Sequence, residues 1–234
     1  GGLWYAKRLA TKHPVAGLTA DTMDAAFTWI ILGVILGGRL GFVLFYALPT
    51  YGLNLLVSDP TYPLRLWEGG MSFHGGVVGV VLAMFYVAWR HRLHPVDLAD
   101  RITPVLPLGI FLGRLANFIN GELWGRPADP SLPWAMVFPH VDALPRQLYE
   151  AGLEGLLLGL LLWLATRGTP LPRYLTTGIF LTGYALARIF CETFRMPEIT
   201  HTWGLELTQG QLLSLPMLAV GLVFLALAST PKKA

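Results

Sequence analysis

The sequence predicts an all-α fold, a polytopic membrane helical bundle. Three observations lead to this fold class: hydrophobic residues make up 54% of the 234 residues, charged residues only 13%, and long apolar runs recur along the chain. A soluble domain usually has about 25% charged residues. The composition therefore excludes a disordered chain and most soluble enzymes, and the single cysteine, Cys191, excludes an internal disulfide framework.

The first residues predict a truncated membrane helix. Only Gly1 to Ala6 are apolar before Lys7 and Arg8, whereas a membrane-spanning helix needs about 20 apolar residues. A signal peptide would need a basic stretch before its apolar core. We therefore expect the chain to begin inside a membrane helix.

Six complete transmembrane helices are predicted from the apolar runs that follow. Turn-rich or charged segments separate these runs, as expected of loops between spans. No segment resembles a separate soluble domain, so residues 1–234 are predicted to form a single integral-membrane domain. The predicted helices lie at about residues 25–48, 71–89, 98–120, 148–166, 174–195 and 209–228.

The longest polar connection, residues 121–147, predicts a small head between two spans. Its several prolines argue against a long helix there. Lys and Arg residues accumulate in cytoplasmic loops, and their distribution places this head on the periplasmic side, with both chain ends inside. The predicted cytoplasmic residues are Lys7, Arg8, Lys12, Arg90, Arg92, Arg101, Arg167, Arg173, Lys232 and Lys233, and the predicted outer ones are Arg65, Arg126, Arg146 and Arg195.

Three arginines, Arg39, Arg114 and Arg188, lie inside predicted spans. Each opposes membrane insertion by about 2.5–3.5 kcal/mol at the centre of a helix. Such residues commonly line a polar cavity or bind an anion. The alternatives are that they extend to the interface, or pair with a glutamate or a backbone carbonyl group.

Helical spacing groups further polar residues with two of these arginines. Tyr184, Arg188, Glu192 and Arg195 share one helix face, and Glu192 could partly neutralise Arg188 or Arg195. Asn117 follows Arg114 by one turn. Both groups fall in the outer half of the membrane, where a lipid phosphate lies.

His74 stands among glycines at the outer end of its span. Imidazole can transfer a proton near neutral pH, although an isolated histidine is also a common structural residue. Glycine spacing in three helices favours close helix packing, at Gly33, Gly37 and Gly41, at Gly75 and Gly79, and at Gly109 and Gly113. No spacing of His or Cys residues indicates a metal site, no basic cluster indicates nucleic-acid binding, and Cys191 is expected to be a buried apolar residue.

One long motif carries a family resemblance. GRLANFINGELWG at residues 113–125 resembles the signature of the prolipoprotein diacylglyceryl transferases of bacterial plasma membranes. Other blocks agree in the same order, and the resemblance covers essentially the whole chain. These blocks are LGGRLG at 36–41, GMSFHGG at 70–76, QLYE at 147–150 and residues 184–195.

The resemblance implies a multi-pass enzyme of the bacterial inner membrane with its active site toward the periplasm. Its substrates would be phosphatidylglycerol and a preprolipoprotein signal peptide with a lipobox cysteine, and no cofactor would be needed. The reaction would form a thioether and release glycerol phosphate. The implied catalytic residues are His74, Arg114 and Arg188, the implied lipid-binding residues are Arg114, Asn117, Gly125, Tyr184, Arg188 and Glu192, and further candidates are Arg39, Glu122 and Arg195.

Two departures from the family pattern are visible. The tyrosine-bearing segment of the family's first helix has no counterpart, and Arg146 stands where the family usually has serine. The chemistry leaves open whether His74 takes the proton of the cysteine or only holds the lipid. A transporter or flippase for anionic lipids is the alternative function, although it predicts internal repeats, which the sequence lacks.

Overall fold

The computed structural model describes residues 1–127, 129, 131–133, 136–138, 141–168, 170–195, 199–202 and 205–229. Within these residues the chain is mostly helical, as the sequence predicts. The helices are α1 (Gly2–Lys12), α2 (Ala20–Tyr51), α3 (Asn54–Ser58), α4 (Phe73–Arg90), α5 (Pro95–Ile119), α6 (Arg146–Ala165), α7 (Leu175–Glu192) and α8 (Gln209–Ser229). Lys232 and Lys233, assigned to the cytoplasmic side above, lie outside the described residues.

Two short 3-10 helices, Tyr62–Leu64 and Leu66–Glu68, and two short antiparallel hairpins complete the secondary structure of the described residues. β1 (Met136–Phe138) pairs with β2 (Val141–Ala143), with Val137 opposite Asp142. This hairpin lies within the segment 121–147 that is predicted to form a head. β3 (Ile199–Thr202) pairs with β4 (Leu205–Thr208), which leads directly into α8.

Five of the described helices, α2, α4, α5, α6 and α8, are long and apolar enough to cross a membrane. The remaining predicted span, residues 174–195, forms the 18-residue helix α7 but does not belong to this set. Its charged residues Arg188 and Glu192 lower its hydropathy. Of the six predicted spans, the one with the weakest membrane signal therefore carries residues predicted to act on the substrate.

The chain forms two compact units, Ala10–Leu98 and a second unit made of Gly1–Leu9 with Ala99–Ala234. In the first unit, α2 packs along α4 through glycines. A Cβ on Gly33 would lie 2.5 Å from the carbonyl oxygen of Gly79, and one on Gly41 would lie 2.7 Å from Cα of Gly75. The backbones are thus in direct contact, as the glycine spacing predicts.

The same prediction is wrong for Gly109 and Gly113 in α5. No neighbouring atom of the described residues lies within 4 Å of a Cβ built on either glycine. Small residues at this spacing permit close packing but do not require it, because the partner helix is set by the tertiary fold.

We expect Gly79→Ala to lower the thermal stability of the protein, because its methyl group would overlap the α2 backbone at Gly33. Overpacking of this kind costs about 1–3 kcal/mol. Gly76→Ala in the same helix is the matched control, since its Cβ would meet only a carbonyl oxygen at 3.7 Å. Thermal unfolding of both variants in detergent tests this prediction, and an equal Tm for the two would contradict it.

In the second unit, α7 begins at a buried carboxylate from α5. Asp100 Oδ2 accepts a hydrogen bond from the Tyr174 backbone N–H (2.7 Å), and Oδ1 accepts one from the Thr177 backbone N–H (2.9 Å). The hydroxyl of Thr177 also donates to Oδ1 (2.6 Å). A carboxylate satisfies the free N–H groups of a helix start and complements its dipole, so Asp100 anchors the helix that carries Arg188.

Candidate active site

A network of buried ion pairs joins α5, α6 and α7 in the second unit. It contains four arginines and three glutamates, which together have a formal charge of +1. Two of the arginines, Arg114 and Arg188, are the pair that the sequence singles out. The members are Arg114, Arg146, Glu150, Glu154, Arg188, Glu192 and Arg195.

Glu150 lies at the centre of this network and is completely buried. Its Oε1 accepts hydrogen bonds from Arg146 Nε and Arg188 Nη1, both at 2.8 Å. Its Oε2 forms an ion pair with Arg114 Nε at 3.2 Å. One carboxylate therefore contacts guanidinium groups from three helical segments.

Glu154 and Glu192 each hold one of the two predicted arginines from another side. Arg114 Nη2 lies 3.3 Å from Glu154 Oε2, and Arg188 Nη2 lies 2.6 Å from Glu192 Oε1. Glu192 also pairs with Arg195 at 3.4 Å. The predicted pairing of Glu192 with Arg188 and Arg195 is therefore confirmed.

The arrangement depends on how α6 is built. Its first turn, Arg146–Glu150, is α-helical and places Arg146 one turn before Glu150, and the following residues Ala151–Leu157 form a π-helix that contains Glu154. Segments of π-helix occur frequently at functional sites. Gly155 allows α5 to approach, because a Cβ there would lie 2.7 Å from Cβ of Phe111. This contact brings α5, and with it Arg114, close to the glutamates of α6.

Arg114 and Arg188 each keep a donor group that contacts no other group of the described residues. Among the described residues, Arg114 Nη1 and Arg188 Nε have no ion-pair or hydrogen-bond partner, and the side chains are 19% and 17% exposed. Arg146, in contrast, is only 6% exposed. The two predicted arginines are paired with carboxylates, yet they keep free N–H groups that could bind an anion.

Other predicted residues of this unit surround the network in different ways. Tyr184 lies within electrostatic range of Arg114 and Glu154, and its ring stacks on Phe180 at 5.8 Å. Asn117 is half-buried on α5, and its backbone carbonyl accepts a hydrogen bond from the Glu122 N–H (2.8 Å). The side chain of Glu122 is exposed, and no described contact joins it to the network.

Gly125 occupies a position that excludes any side chain. A Cβ there would lie 2.7 Å from the carbonyl oxygen of Phe194 and 2.8 Å from that of Leu144. Its backbone N–H donates to the Leu144 carbonyl oxygen at 2.9 Å. The structure thus explains why a glycine is needed here through packing, and a direct contact with lipid stays a prediction.

Arg39 belongs to the unit Ala10–Leu98. Of the alternatives given for the arginines inside predicted spans, the structure shows pairing with backbone carbonyl groups for Arg39. Its buried guanidinium contacts no described carboxylate and instead donates to backbone carbonyl oxygens of the segment between α2 and α4. The acceptors are Pro63 (3.2 Å, from Nε), Tyr62 (2.7 Å, from Nη2), and Gly69 and Gly70 (both from Nη1). These contacts indicate a structural role.

His74 is exposed at the start of α4. Ser72 caps this helix, since its hydroxyl oxygen accepts a hydrogen bond from the Gly75 N–H at 3.2 Å. The imidazole ring packs edge-on against Phe73, with 5.6 Å between ring centroids. The side chain is accessible, as either of its predicted roles requires.

Three network members, Arg146, Glu150 and Glu154, were missed as site residues by the sequence reasoning. A signal was present, because two glutamates one turn apart inside an apolar span are costly unless they are paired. Cys191 is fully buried, as expected. No group of His, Cys, Asp or Glu within the described residues is arranged to hold a metal ion.

Comparison with known proteins identifies the family of this chain. The sequence model of the family described as prolipoprotein diacylglyceryl transferase matches residues 1–227. Among relatives named phosphatidylglycerol–prolipoprotein diacylglyceryl transferase, that of Rhodospirillum centenum is 48% identical over 97% of this chain and 82% of its own length. That of Ruegeria pomeroyi is 52% identical over 86% and 75%, and that of Rhodospirillum rubrum 47% over 99% and 85%. The chain therefore belongs to the prolipoprotein diacylglyceryl transferase family.

Proposed function

We propose that this chain is an enzyme that transfers the diacylglyceryl group of phosphatidylglycerol to the lipobox cysteine of preprolipoproteins, the first step of bacterial lipoprotein maturation. The family match along residues 1–227 carries this proposal, and the names of the relatives specify the lipid and the protein substrate. The arginine–glutamate network, with its surplus positive charge, supports an anionic lipid as substrate.

The proposed reaction is a displacement at carbon. The cysteine sulfur attacks the glyceryl carbon that bears the phosphate ester, so a C–S bond forms, the C–O bond breaks and glycerol phosphate leaves. The proton of the thiol is lost, because the thiolate is the nucleophile. Negative charge grows on the departing phosphate, and the network must stabilise this charge.

The free donors of Arg114 and Arg188 suit that task. Charge-assisted N–H···O bonds to a phosphate are strongest where water is scarce, and both arginines are largely buried. We further propose that Asn117, Gly125 and Tyr184 bind the lipid around these donors, and that Glu192, also predicted to bind it, acts through its ion pair with Arg188. His74 would take the thiol proton or hold the lipid.

The proposed location is the bacterial inner membrane, with the active site toward the periplasm. Five of the described helices are apolar enough to span a bilayer, and we propose that α7 spans as a sixth, its charges compensated within the network. The segment 121–147 would then form the periplasmic head.

A reconstituted assay tests the function. We expect the purified protein in phosphatidylglycerol vesicles to add one diacylglyceryl group to a lipobox peptide. The product is detected by its increased mass, and the new thioether bond should survive a reagent that cleaves thioesters. A peptide with serine in place of cysteine is the control and should stay unmodified. Movement of lipid between leaflets without any modified peptide would instead support a flippase and refute the proposed reaction.

A further inference from the structure

We infer that Glu150 is a positioning residue, which sets the spacing between Arg114 and Arg188 and acts on the lipid only through them. This inference rests on the proposed function. Glu150 lies in α6, on neither of the helices that carry the two arginines, and it contacts both of their guanidinium groups within 3.2 Å.

Among the described residues Glu150 is the one carboxylate that contacts both arginines. Glu154 contacts Arg114 and not Arg188, and Glu192 contacts Arg188 and not Arg114. These two glutamates can orient one guanidinium each. The distance between the guanidiniums therefore depends on the carboxylate that they share.

The burial of Glu150 indicates that it positions the arginines and does not contact the substrate itself. The Glu150 side chain is 0% exposed, whereas Arg114 and Arg188 are 19% and 17% exposed. A substrate phosphate can reach the arginines but not the glutamate. A carboxylate would also repel that phosphate, so its useful effect is to hold the two cations at a spacing that fits one anionic group.

Arg146 completes the arrangement as a third cation on the same carboxylate. Arg146 is nearly as buried as Glu150 and donates a hydrogen bond to its Oε1. The same oxygen also accepts a hydrogen bond from Arg188. Without the charge of Glu150, three guanidinium groups would face one another at close range. Removing Arg146 together with that charge restores the formal charge of the network.

The test compares Glu150→Gln with the double variant Arg146→Gln/Glu150→Gln. For Glu150→Gln we expect the KM for phosphatidylglycerol to rise about 10- to 100-fold, the loss typical when a charged hydrogen-bond partner is removed. The KM for the lipobox peptide should stay unchanged. A variant that was only less well folded would lower the apparent kcat and leave both KM values alone.

The double variant should fold, because its network keeps the wild-type charge, and should still show the raised KM for the lipid. Glu68→Gln is the control, since this exposed glutamate pairs only with Arg65 among the described residues. Recovery of the wild-type KM in the double variant would show that charge balance alone matters, and would overturn the inference. So would an unchanged KM in Glu150→Gln, or the failure of both variants to fold.

These outcomes are distinct from failure of the proposed function. If the wild-type protein forms no thioether product, the proposed reaction is wrong. If the wild type is active and Glu150→Gln has the same KM for the lipid, the reaction stands and the positioning role is wrong.

Discussion

Replacing Arg188 by alanine is expected to abolish diacylglyceryl transfer, and Arg188→Lys is expected to lower kcat/KM by about 100-fold or more. Removing one donor that stabilises developing negative charge commonly costs a factor of about 10²–10³. Lysine keeps the charge, so Glu150 and Glu192 retain a cation nearby. A single ammonium group cannot reproduce the two fixed contacts of the guanidinium and also leave a donor for the phosphate.

The lysine variant is the more informative of the two, because alanine leaves two buried carboxylates short of a partner. Losing one member of a buried ion pair costs about 3–5 kcal/mol of stability. Transfer to a lipobox peptide is measured with equal amounts of folded protein, and Arg65→Lys is the control for an exposed arginine in the other unit. Wild-type activity in Arg188→Lys and in the equivalent Arg114→Lys would refute the electrostatic role.

The second large effect is expected at Arg39, as a loss of stability. Arg39→Met would leave a long apolar side chain in place of the guanidinium. The carbonyl oxygens of Pro63, Gly69 and Gly70 would lose the one donor they have among the described residues, while that of Tyr62 keeps the Arg65 backbone N–H. Each buried carbonyl group left without a partner costs about 1–3 kcal/mol. The segment that precedes His74 should therefore become accessible, with a lower Tm and faster proteolysis between α2 and α4.

Arg65→Met is the matched control from the same segment. Arg65 is one-third exposed and pairs with Asp59 (2.6 Å) and Glu68 (3.2 Å). The Thr61 hydroxyl, and after it the charge of Arg65, hold the pKa of the Asp59 carboxyl below its usual value. Exposed ion pairs are worth about 0–1 kcal/mol, so this variant should stay close to wild type. Equal stability of the two variants would show that the carbonyl contacts of Arg39 are dispensable.

The sequence predicted where the helices lie. It predicted six complete membrane spans, whereas five of the described helices are long and apolar enough to cross a membrane. Apolar runs identified α2, α4, α5, α6 and α8, because hydropathy follows from composition alone. Helix α7 departs from this pattern, since Arg188 and Glu192 interrupt its apolar run. Charged residues within a helix weaken the hydropathy signal by which a membrane span is recognised.

The glycines show that local sequence patterns do not determine helix packing either. Gly33 and Gly79 meet backbone to backbone. A Cβ built on Gly109 or Gly113, which have the same four-residue spacing as Gly75 and Gly79, would meet no neighbouring atom within 4 Å among the described residues. The local pattern is identical in the two cases. Which helix faces the glycines depends on residues distant in the sequence.

From the amino-acid order alone came the helical membrane class, the family resemblance and the pair Arg114 and Arg188, because composition, motif and the cost of a charge in lipid are local properties. The tertiary structure decided which arginines meet carboxylates and which meet backbone carbonyl groups. Arg39 binds carbonyl groups more than 20 residues away along the chain, while Arg114 and Arg188 converge on Glu150 from separate helices. The partner of a buried charge depends on which groups lie close to it in three dimensions. The spacing of residues along one helix gives no information about groups on other helices.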